Sequence, residues 1–210
     1  MSEAWMLPPP TKIIGIGTNY RKHAVEMGKS VPPVPKVFLK PPSSLIGNGD
    51  AIVLPPCSER VDFEAELGVV IGQRCKNVSP DAALEVIAGF TCVNDVTARD
   101  HQRSDGVFAR AKGFDSFCPV GPRMVADLEP GDLQIRCWVN QELRQDSRTS
   151  DMIFDVPTLI AFVSSVMTLE PGDLICTGTP SGVGPLGPGD VVVVEIEGVG
   201  RLTNSVIQGS

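Results

Sequence analysis

The sequence contains few histidines, few basic residues and no long apolar run. Two histidines in 210 residues exclude a histidine-rich metal site, so a bound metal would have to be held mainly by carboxylates or thiolates. No segment reaches the roughly 18 consecutive apolar residues that a membrane-spanning helix needs, and we therefore expect no membrane partner. Lys and Arg number 18 against 25 Asp and Glu. This acidic surplus argues against nucleic acid as the main partner, because phosphate binding requires a basic face.

The six cysteines are not arranged in pairs. No two of them are closer than 17 residues, so the Cys-x-x-Cys motif of zinc knuckles and thioredoxin-like proteins is absent. Residues 1–6 have neither the basic region nor the apolar region of a secretory leader. We therefore expect reduced, mostly buried thiols in a cytoplasmic protein.

The remaining composition is typical of one mainly β globular domain. The chain is 42% hydrophobic and 20% charged, and its length suits a single domain. Short runs rich in Val and Ile alternate with Gly and Pro clusters, which predicts strands separated by turns. The predicted strands cover residues 13–16, 36–39, 51–54, 63–71, 90–93, 133–139, 173–177 and 191–196. Helices are predicted over residues 19–28, 80–88 and 155–168, with a shorter one over 96–102.

Three acidic residues, Asp62, Glu64 and Glu66, alternate along one predicted strand. Side chains two residues apart in a strand point to the same side, so these carboxylates would share one face. Glutamate is disfavoured in strands and like charges on one face repel. A hard divalent cation such as Mg²⁺ would relieve this repulsion through oxygen ligands, and the alternative is a solvated acidic face. Asp95, between a predicted strand and helix, is a candidate for a third ligand or for a helix N-cap.

His23 and Glu26 are three residues apart in the first predicted helix, so they are neighbours on its surface. An imidazole beside a carboxylate suits a general base that activates water, and the alternative is a solvent-facing ion pair. Arg99 and Gln102 are also three residues apart and would reach one polar ligand if their helix faces a pocket. Lys112 by itself is one lysine among many. For Arg99, Gln102 and Lys112 alike, the alternative is an exposed position on the surface.

The segment 177–187 is rich in glycine and follows a predicted strand. It lacks the Gly-Lys-Ser/Thr ending of a phosphate-binding loop, and Gly15-x-Gly17 is followed by Tyr20 where a third glycine would be needed. Nucleotide binding is therefore unsupported. Backbone N–H groups and threonine hydroxyls of such a loop would suit a small carboxylate, and the alternative is a structural turn.

Taken together, six motifs in this order resemble the fumarylacetoacetate hydrolase family, and most closely its compact branch of acylpyruvate hydrolases and oxaloacetate decarboxylases. The resemblance covers about residues 12–207. The motifs are Gly15-x-Gly17-x-Asn19-Tyr20-x-x-His23, Phe38-Leu39-Lys40-Pro41, Glu64-x-Glu66-Leu67-Gly68, Asn94-Asp95-Val96-Thr97-Ala98-Arg99-Asp100-x-Gln102, Lys112-x-Phe114-Asp115 and Thr177-Gly178-Thr179-Pro180-x-Gly182-Val183-Gly184.

This resemblance implies an α+β, mainly β fold of rolled mixed sheets with a few short helices. It implies one catalytic domain over residues 1–210, with an N-terminal extension over 1–11, a lid helix over about 19–28, and assembly as a homodimer. The site roles that it implies are Mg²⁺ or Mn²⁺ ligation by Glu64, Glu66 and Asp95, catalysis by His23, Glu26 and Lys112, and substrate binding by Arg99, Gln102 and Thr179.

The implied reaction is cleavage of a C–C bond in a small 2-oxo acid such as an acylpyruvate or fumarylpyruvate. Water activated by the dyad would attack the distal carbonyl, and the enolate of pyruvate would be the leaving group, its developing charge stabilised by the metal. The same site would also suit an oxaloacetate-type decarboxylase or a 2-hydroxydienoate isomerase. A catalytically silent binding protein is the alternative from another class. Relatives often carry Trp-Thr where this chain has Phe108-Ala109, which implies a different pocket shape.

Overall fold

The computed structural model describes residues 8–210, so residues 1–7 of the predicted N-terminal extension lie outside the described part. The described chain is built mainly from strands. Fifteen of them follow in the order β1 (Ile13–Gly17), β2 (Lys36–Lys40), β3 (Leu45–Ile46), β4 (Ala51–Leu54), β5 (Val61–Phe63), β6 (Ala65–Ile71), β7 (Ile87–Asn94), β8 (Thr97–Ala98), β9 (Cys118–Val125), β10 (Gln134–Val139), β11 (Glu142–Arg148), β12 (Leu174–Cys176), β13 (Gly184–Pro185), β14 (Val191–Ile196) and β15 (Gly200–Gln208).

The α-helices are short: α1 (Arg21–Glu26), α2 (Arg99–Asp105), α3 (Ala109–Lys112) and α4 (Val156–Val166). The first and last confirm the predictions over 19–28 and 155–168. In α4, Asp155 accepts a hydrogen bond from the Thr158 N–H at 2.9 Å and Pro157 lies in the first turn, as expected of a helix start. Within the described residues, no helix is long and apolar enough to cross a membrane.

The helix predicted over residues 80–88 is wrong. Pro80–Val86 form a 3₁₀ helix, and β7 begins at Ile87. Gly89 does not end a helix but lies inside β7, where a Cβ atom would come within 2.7 Å of the Val125 carbonyl oxygen on β9. Pairing of β7 with both β6 and β9 therefore outweighs the local helix signals. The predicted helix over 96–102 starts later, because Thr97 and Ala98 pair with β5.

The larger sheet has seven strands in the order β2-β1-β12-β6-β7-β9-β3 and mixes parallel with antiparallel pairs. One face packs against the main core, which also includes the inner face of the five-stranded sheet β11-β10-β14-β15-β4. The opposite face carries a second, smaller apolar cluster that includes Ile13, Val70 and Val93. Since side chains alternate along a strand, Glu66 points to the same side of β6 as Val70. The second apolar cluster and the side chain of Glu66 therefore lie on the same face of the larger sheet.

A glycine in β1 makes room on this second face. Gly15 is paired with Phe38 of β2, and a Cβ atom on Gly15 would lie 2.1 Å from the Phe38 ring. The ring can therefore lie flat over β1 only because position 15 has no side chain. A small three-stranded sheet, β13-β5-β8, lies next to the start of β6, because β5 directly precedes β6 in the chain. The acidic residues lie where this small sheet meets the seven-stranded sheet.

The start of β1 is held by one buried carboxylate, that of Asp173 just before β12. Its Oδ1 accepts hydrogen bonds from the Thr11 N–H at 3.0 Å, the Thr11 hydroxyl at 2.7 Å and the Lys12 N–H at 3.1 Å. Its Oδ2 accepts from the Glu170 N–H at 2.8 Å and from the Lys12 ammonium. Burial opposes the charged carboxylate, but these donors outweigh burial and lower the pKa of Asp173 below its ordinary value.

Asp173→Asn should therefore lower the free energy of unfolding by about 2–3 kcal/mol at pH 7, because the Asn amide nitrogen would face two donors. The pKa in the folded protein lies below its value in the unfolded chain, so this stability is complete above the ordinary Asp pKa and is lost as the pH falls through the folded pKa. Denaturant unfolding at several pH values checks both statements. Asp132→Asn, in the exposed Pro-Gly-Asp turn, should have a smaller effect, and equal effects at pH 7 would contradict the assignment.

Candidate metal and acid–base site

Glu64 and Glu66 lie at an interruption between two strands. The predicted strand over 63–71 is divided, with Glu64 between β5 and β6. Two buried amides hold this link: the Asn94 Oδ1 accepts from the Glu64 N–H at 2.9 Å, and the Gln145 Oε1 accepts from the Ala65 N–H at 3.0 Å. The interruption is therefore fixed in one geometry, which sets the directions of both glutamate side chains.

Asp95 is brought beside the two glutamates by strand pairing. β7 pairs with β6 so that Asn94 is opposite Ala65, and the Asp95 N–H donates to the Glu64 carbonyl oxygen at 2.8 Å. One carboxylate oxygen from each of Glu64, Glu66 and Asp95 lies within 4.8 Å of the others, and all three residues are buried. Asp95 is not a helix N-cap, since α2 begins at Arg99. Asp95 thus forms one cluster with Glu66 and Glu64, although it follows them by 29 and 31 positions in the sequence.

Cationic side chains surround two of these three carboxylates. The Lys112 ammonium donates to the Glu64 Oε2 at 2.7 Å and also to Asp95. Arg99 donates to the Glu64 Oε1 at 2.5 Å, and Lys40 donates to the Asp95 Oδ1 at 2.6 Å. These five residues are all buried. Glu64 and Asp95 therefore each have two cationic partners, and the buried charges are largely compensated.

Asp62, the third acidic residue of the predicted face, has a different environment. It accepts from the Arg99 Nε and the Arg60 Nε, both at 2.9 Å. It does not belong to the 4.8 Å carboxylate cluster. Asp62 therefore anchors Arg99, which in turn contacts Glu64.

Glu66 differs from the other two carboxylates in its partners. Its Oε2 accepts from the Gly178 N–H at 2.8 Å. Burial, together with the charges of Asp95 and Glu64, raises the pKa of Glu66 well above its ordinary value. Burial would raise the pKa of Glu64 too, but the charges of Lys112 and Arg99 outweigh it and hold that pKa below its ordinary value. Glu66 is thus the carboxylate whose charge is least compensated.

The donor set fits a hard divalent cation. Three carboxylates that converge at one point offer the oxygen ligands that Mg²⁺ and Mn²⁺ prefer, and both ions retain positions for water or substrate. A cation would also neutralise the like charges that raise the pKa of Glu66. The residues that would hold it are Glu64, Glu66 and Asp95.

The predicted dyad lies at the same cleft as this cluster, which its histidine lines. His23 is buried on α1, and its Nδ1 lies 2.9 Å from the Glu26 Oε2. The other Glu26 oxygen, Oε1, accepts from the Gly182 N–H at 2.9 Å. Since His23 lines the same cleft as Glu64 and Glu66, α1 is held over the acidic cluster by this contact with the glycine-rich loop.

Gly182 is adapted to hold α1. Its φ is +99°, and a Cβ atom would lie 2.0 Å from the Arg144 carbonyl oxygen. Gly182→Ala should therefore displace the loop, break the bond to Glu26 and lower kcat about tenfold, alongside a loss of unfolding free energy of about 1–3 kcal/mol. Gly189→Ala is the control, because φ is +90° there but nothing lies near the added Cβ atom. Steady-state kinetics and denaturant unfolding check this, and equal kcat values in the two variants would contradict it.

The N–H groups of the glycine-rich loop bind the protein's own carboxylates. The Gly178 and Gly182 N–H groups donate to Glu66 and Glu26, so these two N–H groups are not free for the small carboxylate expected from the sequence. Thr179, however, lines the cleft. Its Oγ1 accepts from the Gln145 Nε2 at 2.8 Å, which leaves the hydroxyl hydrogen to donate elsewhere.

The cleft is small, with a cavity volume of about 20 Å³, and it brings the predicted residues together. Seven of the nine line it directly, Asp95 reaches it through the carboxylate cluster, and Glu26 reaches it through His23. Arg99 donates to the Gln102 Oε1 at 3.1 Å, which fixes both side chains. Phe38 and Phe108 form an aromatic wall with ring centroids 5.1 Å apart.

Three residues of the site were missed by the sequence analysis as functional positions. Lys40 was noticed only as part of a motif, yet its buried ammonium fixes one oxygen of Asp95. Gln145 links the Glu64–Glu66 segment to Thr179 from a strand 80 residues away. Lys29 lines the cleft. A buried lysine in an apolar strand was a usable signal for Lys40, whereas Gln145 and Lys29 carry no local signal.

The chain is similar to several known proteins. The profile of the family described as "Fumarylacetoacetate (FAA) hydrolase C-terminal" matches residues 12–207. The chain is 43% identical over 209 residues to the mitochondrial oxaloacetate tautomerase Fahd2a of Rattus norvegicus, a match that covers 94% of this chain and 67% of that protein.

Two solved structures have the same fold. The 2-hydroxyhepta-2,4-diene-1,7-dioate isomerase from Mycobacterium marinum is 48% identical, with a TM-score of 0.90 over 96% of this chain and 76% of that one. The maleylpyruvate hydrolase from Sphingobium sp. SYK-6, solved with manganese(II) ion and pyruvate, is 39% identical, with a TM-score of 0.84 over 97% and 72%. The expected fold of rolled mixed sheets with few helices is thereby confirmed.

Proposed function

This chain belongs to the fumarylacetoacetate hydrolase family, and we propose that it is a divalent-metal-dependent hydrolase of a small 2-oxo acid of the acylpyruvate or fumarylpyruvate type. One observation carries the proposal: a buried cluster of three carboxylates and the histidine of a His–Glu dyad lie at one cleft. A binding protein would need the first of these groups but not the second.

Mg²⁺ or Mn²⁺ held by Glu64, Glu66 and Asp95 would act as a Lewis acid toward the keto and carboxylate oxygens of the substrate. Lys112 and Arg99 line the cleft beside these carboxylates. Their charges favour an anionic 2-oxo acid there, and the Thr179 hydroxyl is a donor for its carboxylate. Gln102, held by Arg99, gives a polar contact to the remainder of the substrate.

The dyad would supply the base. The Oε1 of Glu26 is held by the Gly182 N–H, and its Oε2 lies beside His23. Glu26 would take a proton from water as the oxygen of that water attacks the distal carbonyl carbon. The C–C bond then breaks, its electron pair stays with the pyruvate unit, and a proton returned to that unit completes pyruvate. The acid derived from the acyl group is the second product.

An oxaloacetate-type decarboxylase or tautomerase, or a 2-hydroxydienoate isomerase, is the second candidate. The names of two similar proteins, an oxaloacetate tautomerase and a dienedioate isomerase, favour it. None of these three reactions requires attack by water. Decarboxylation also needs no base to start it, so its rate should depend little on Glu26, whereas the tautomerase and isomerase reactions are proton transfers in which the dyad would act as acid and base. The dependence of the rate on Glu26 therefore distinguishes hydrolysis from decarboxylation.

We further propose that the chain is a single catalytic domain and assembles as a homodimer, with a small 2-oxo carboxylate as its partner and no nucleic acid or membrane partner. The cytoplasm remains the predicted compartment, and six free cysteines support it. Analytical ultracentrifugation tests the dimer. The mass of one chain is 22.4 kDa, and we expect a single species of twice that mass.

The reaction is tested by assaying acetylpyruvate, fumarylpyruvate and oxaloacetate side by side with Mg²⁺, with Mn²⁺ and after EDTA. We expect a higher kcat/KM for an acylpyruvate than for oxaloacetate. We also expect turnover to be lost in EDTA and recovered when the metal is added. A higher kcat/KM for oxaloacetate would favour the second candidate. Turnover of none of the three would contradict both acylpyruvate hydrolysis and oxaloacetate decarboxylation and would favour the isomerase or the catalytically silent binding protein.

A further inference from the structure

Every carboxylate oxygen of Glu64 and Asp95 already accepts a hydrogen bond from a buried cationic side chain. Glu64 accepts from Arg99 at Oε1 and from Lys112 at Oε2. Asp95 accepts from Lys40 at Oδ1 and from Lys112 at Oδ2. The ammonium of Lys112 therefore bridges the two carboxylates. A divalent cation that binds through these residues must take at least one oxygen that a side chain of the protein already holds.

The three cationic side chains differ in what else holds them. The Arg99 Nε also donates to Asp62 at 2.9 Å, and the Lys40 ammonium also donates to the Phe117 carbonyl oxygen at 3.0 Å. The Lys112 ammonium has no acceptor among residues 8–210 besides the two carboxylates that it bridges. Lys112 also lines the cleft, whereas Lys40 does not. Lys112 is thus the cation that can leave the cluster at the smallest cost.

Charge repulsion prevents the ammonium and a divalent cation from holding the same oxygens together. Mg²⁺ binds carboxylate oxygens at about 2.0–2.1 Å. An ammonium bonded to those same oxygens would lie within a few ångströms of the ion, and like charges at such a separation repel strongly in a buried site. The Phe38 ring offers Lys112 another partner, because its centroid lies 5.0 Å from the Nζ atom and the ring also lines the cleft.

We propose that Lys112 competes with the divalent cation for Glu64 and Asp95, an inference that rests on the proposed function. Lys112 leaves the two carboxylates when the ion binds, and its ammonium turns to the cleft beside Phe38. There it is available to the carboxylate of a 2-oxo acid. The competition therefore couples the two ligands, since a 2-oxo acid that binds the ammonium must in turn strengthen binding of the ion.

Calorimetric titration of the full chain with Mg²⁺ tests the competition through two matched variants. Lys112→Met and Lys40→Met each remove one buried positive charge beside Asp95, so a general effect of charge would strengthen Mg²⁺ binding equally in both. Competition predicts that Lys112→Met binds Mg²⁺ about tenfold or more tighter than Lys40→Met and the parent, as expected for one charged hydrogen bond. Lys112→Arg, which keeps the charge and the donors, should bind no more tightly than the parent.

Three results of this titration would overturn the proposal. The first is equal Mg²⁺ affinity in Lys112→Met and Lys40→Met. The second is an affinity of Lys112→Met at or below that of the parent, which is the result expected if Lys112 only holds the carboxylates in place. The third is an affinity of Lys112→Arg as high as that of Lys112→Met.

The parent protein supplies a second measurement that does not depend on the folding of the methionine variants. In protein labelled with ¹⁵N-lysine, the buried ammonium groups of Lys40 and Lys112 should give separate NMR signals, and Lys112→Arg identifies the signal of Lys112 by its loss. Addition of Mg²⁺ should shift that signal or broaden it beyond detection, and it should leave the signal of Lys40 in place. An unchanged Lys112 signal at saturating Mg²⁺ would contradict the proposal.

Neither measurement requires turnover, which separates this proposal from the proposed reaction. If the parent turns over no 2-oxo acid but Lys112→Met binds Mg²⁺ more tightly in the way described, the reaction assignment is wrong and the competition is upheld. If Mg²⁺ binds neither the parent nor Lys112→Met, the metal role of the cluster and the competition are both wrong.

Discussion

Glu26→Gln is expected to lower kcat for acylpyruvate hydrolysis by about 100- to 10,000-fold, the range for loss of a positioned general base. The amide oxygen of the introduced glutamine can still accept the Gly182 N–H, so α1 keeps its contact with the loop. The amide nitrogen cannot take a proton from water and cannot accept from His23. The substitution therefore removes basicity while it preserves the closed geometry. Steady-state kinetics with Mg²⁺ measures the effect.

Decarboxylation of oxaloacetate gives an internal comparison for the same variant. No water attacks in that reaction, so Glu26→Gln should lower its rate less than about tenfold. Glu85→Gln, which neutralises an exposed carboxylate far from the cleft, should leave both reactions unchanged. If Glu26→Gln hydrolysed acylpyruvates as fast as the parent, Glu26 would not be the base. Equal and large losses in both reactions would point to a positioning role instead.

Glu66→Gln is expected to weaken Mg²⁺ binding by on the order of 100-fold or more, since even outer-shell changes at metal sites reach about 10- to 100-fold. The introduced amide keeps an acceptor for the Gly178 N–H but contributes no charge to the cation. Glu66 is better suited to this test than Glu64, because loss of the Glu64 charge would also remove one of the two carboxylate partners of Arg99 and one of the two of Lys112. Calorimetric titration with Mg²⁺ gives the affinity directly.

Stability gives a second measurement of the same change. At a Mg²⁺ concentration about 100 times its Kd, the parent should gain about 2.7 kcal/mol of unfolding free energy, whereas a variant that binds about 100-fold more weakly should gain about 0.4 kcal/mol. Without metal, Glu66→Gln should be at least as stable as the parent, because burial and like charges disfavour the ionised glutamate. Glu170→Gln, at a peripheral ion pair with Arg74, is the control. Unchanged Mg²⁺ affinity in Glu66→Gln would rule out its role as a ligand.

The strands that sequence patterns reveal are the apolar ones. β4, β10 and β14 were predicted within one residue of their observed bounds because Val, Ile and Leu recur along them. β11, with the sequence Glu-Leu-Arg-Gln-Asp-Ser-Arg, was missed. It is an edge strand that pairs with β10 alone, so most of its side chains face solvent and it needs no apolar pattern.

The sequence by itself determined the mainly β class, the first helix with its neighbouring His23 and Glu26, and a set of acidic and basic candidates that one family resemblance joined together. Tertiary structure alone decided which of those charges meet. Lys40 reaches Asp95 across 55 positions, and Gln145 reaches Ala65 across 80. Such contacts depend on strand order and register, which arise from the packing of both sheets and not from local propensity. The shortage of histidine left carboxylates or thiolates as the main candidates for metal ligands, and the fold placed one oxygen of each of three carboxylates within 4.8 Å of the others.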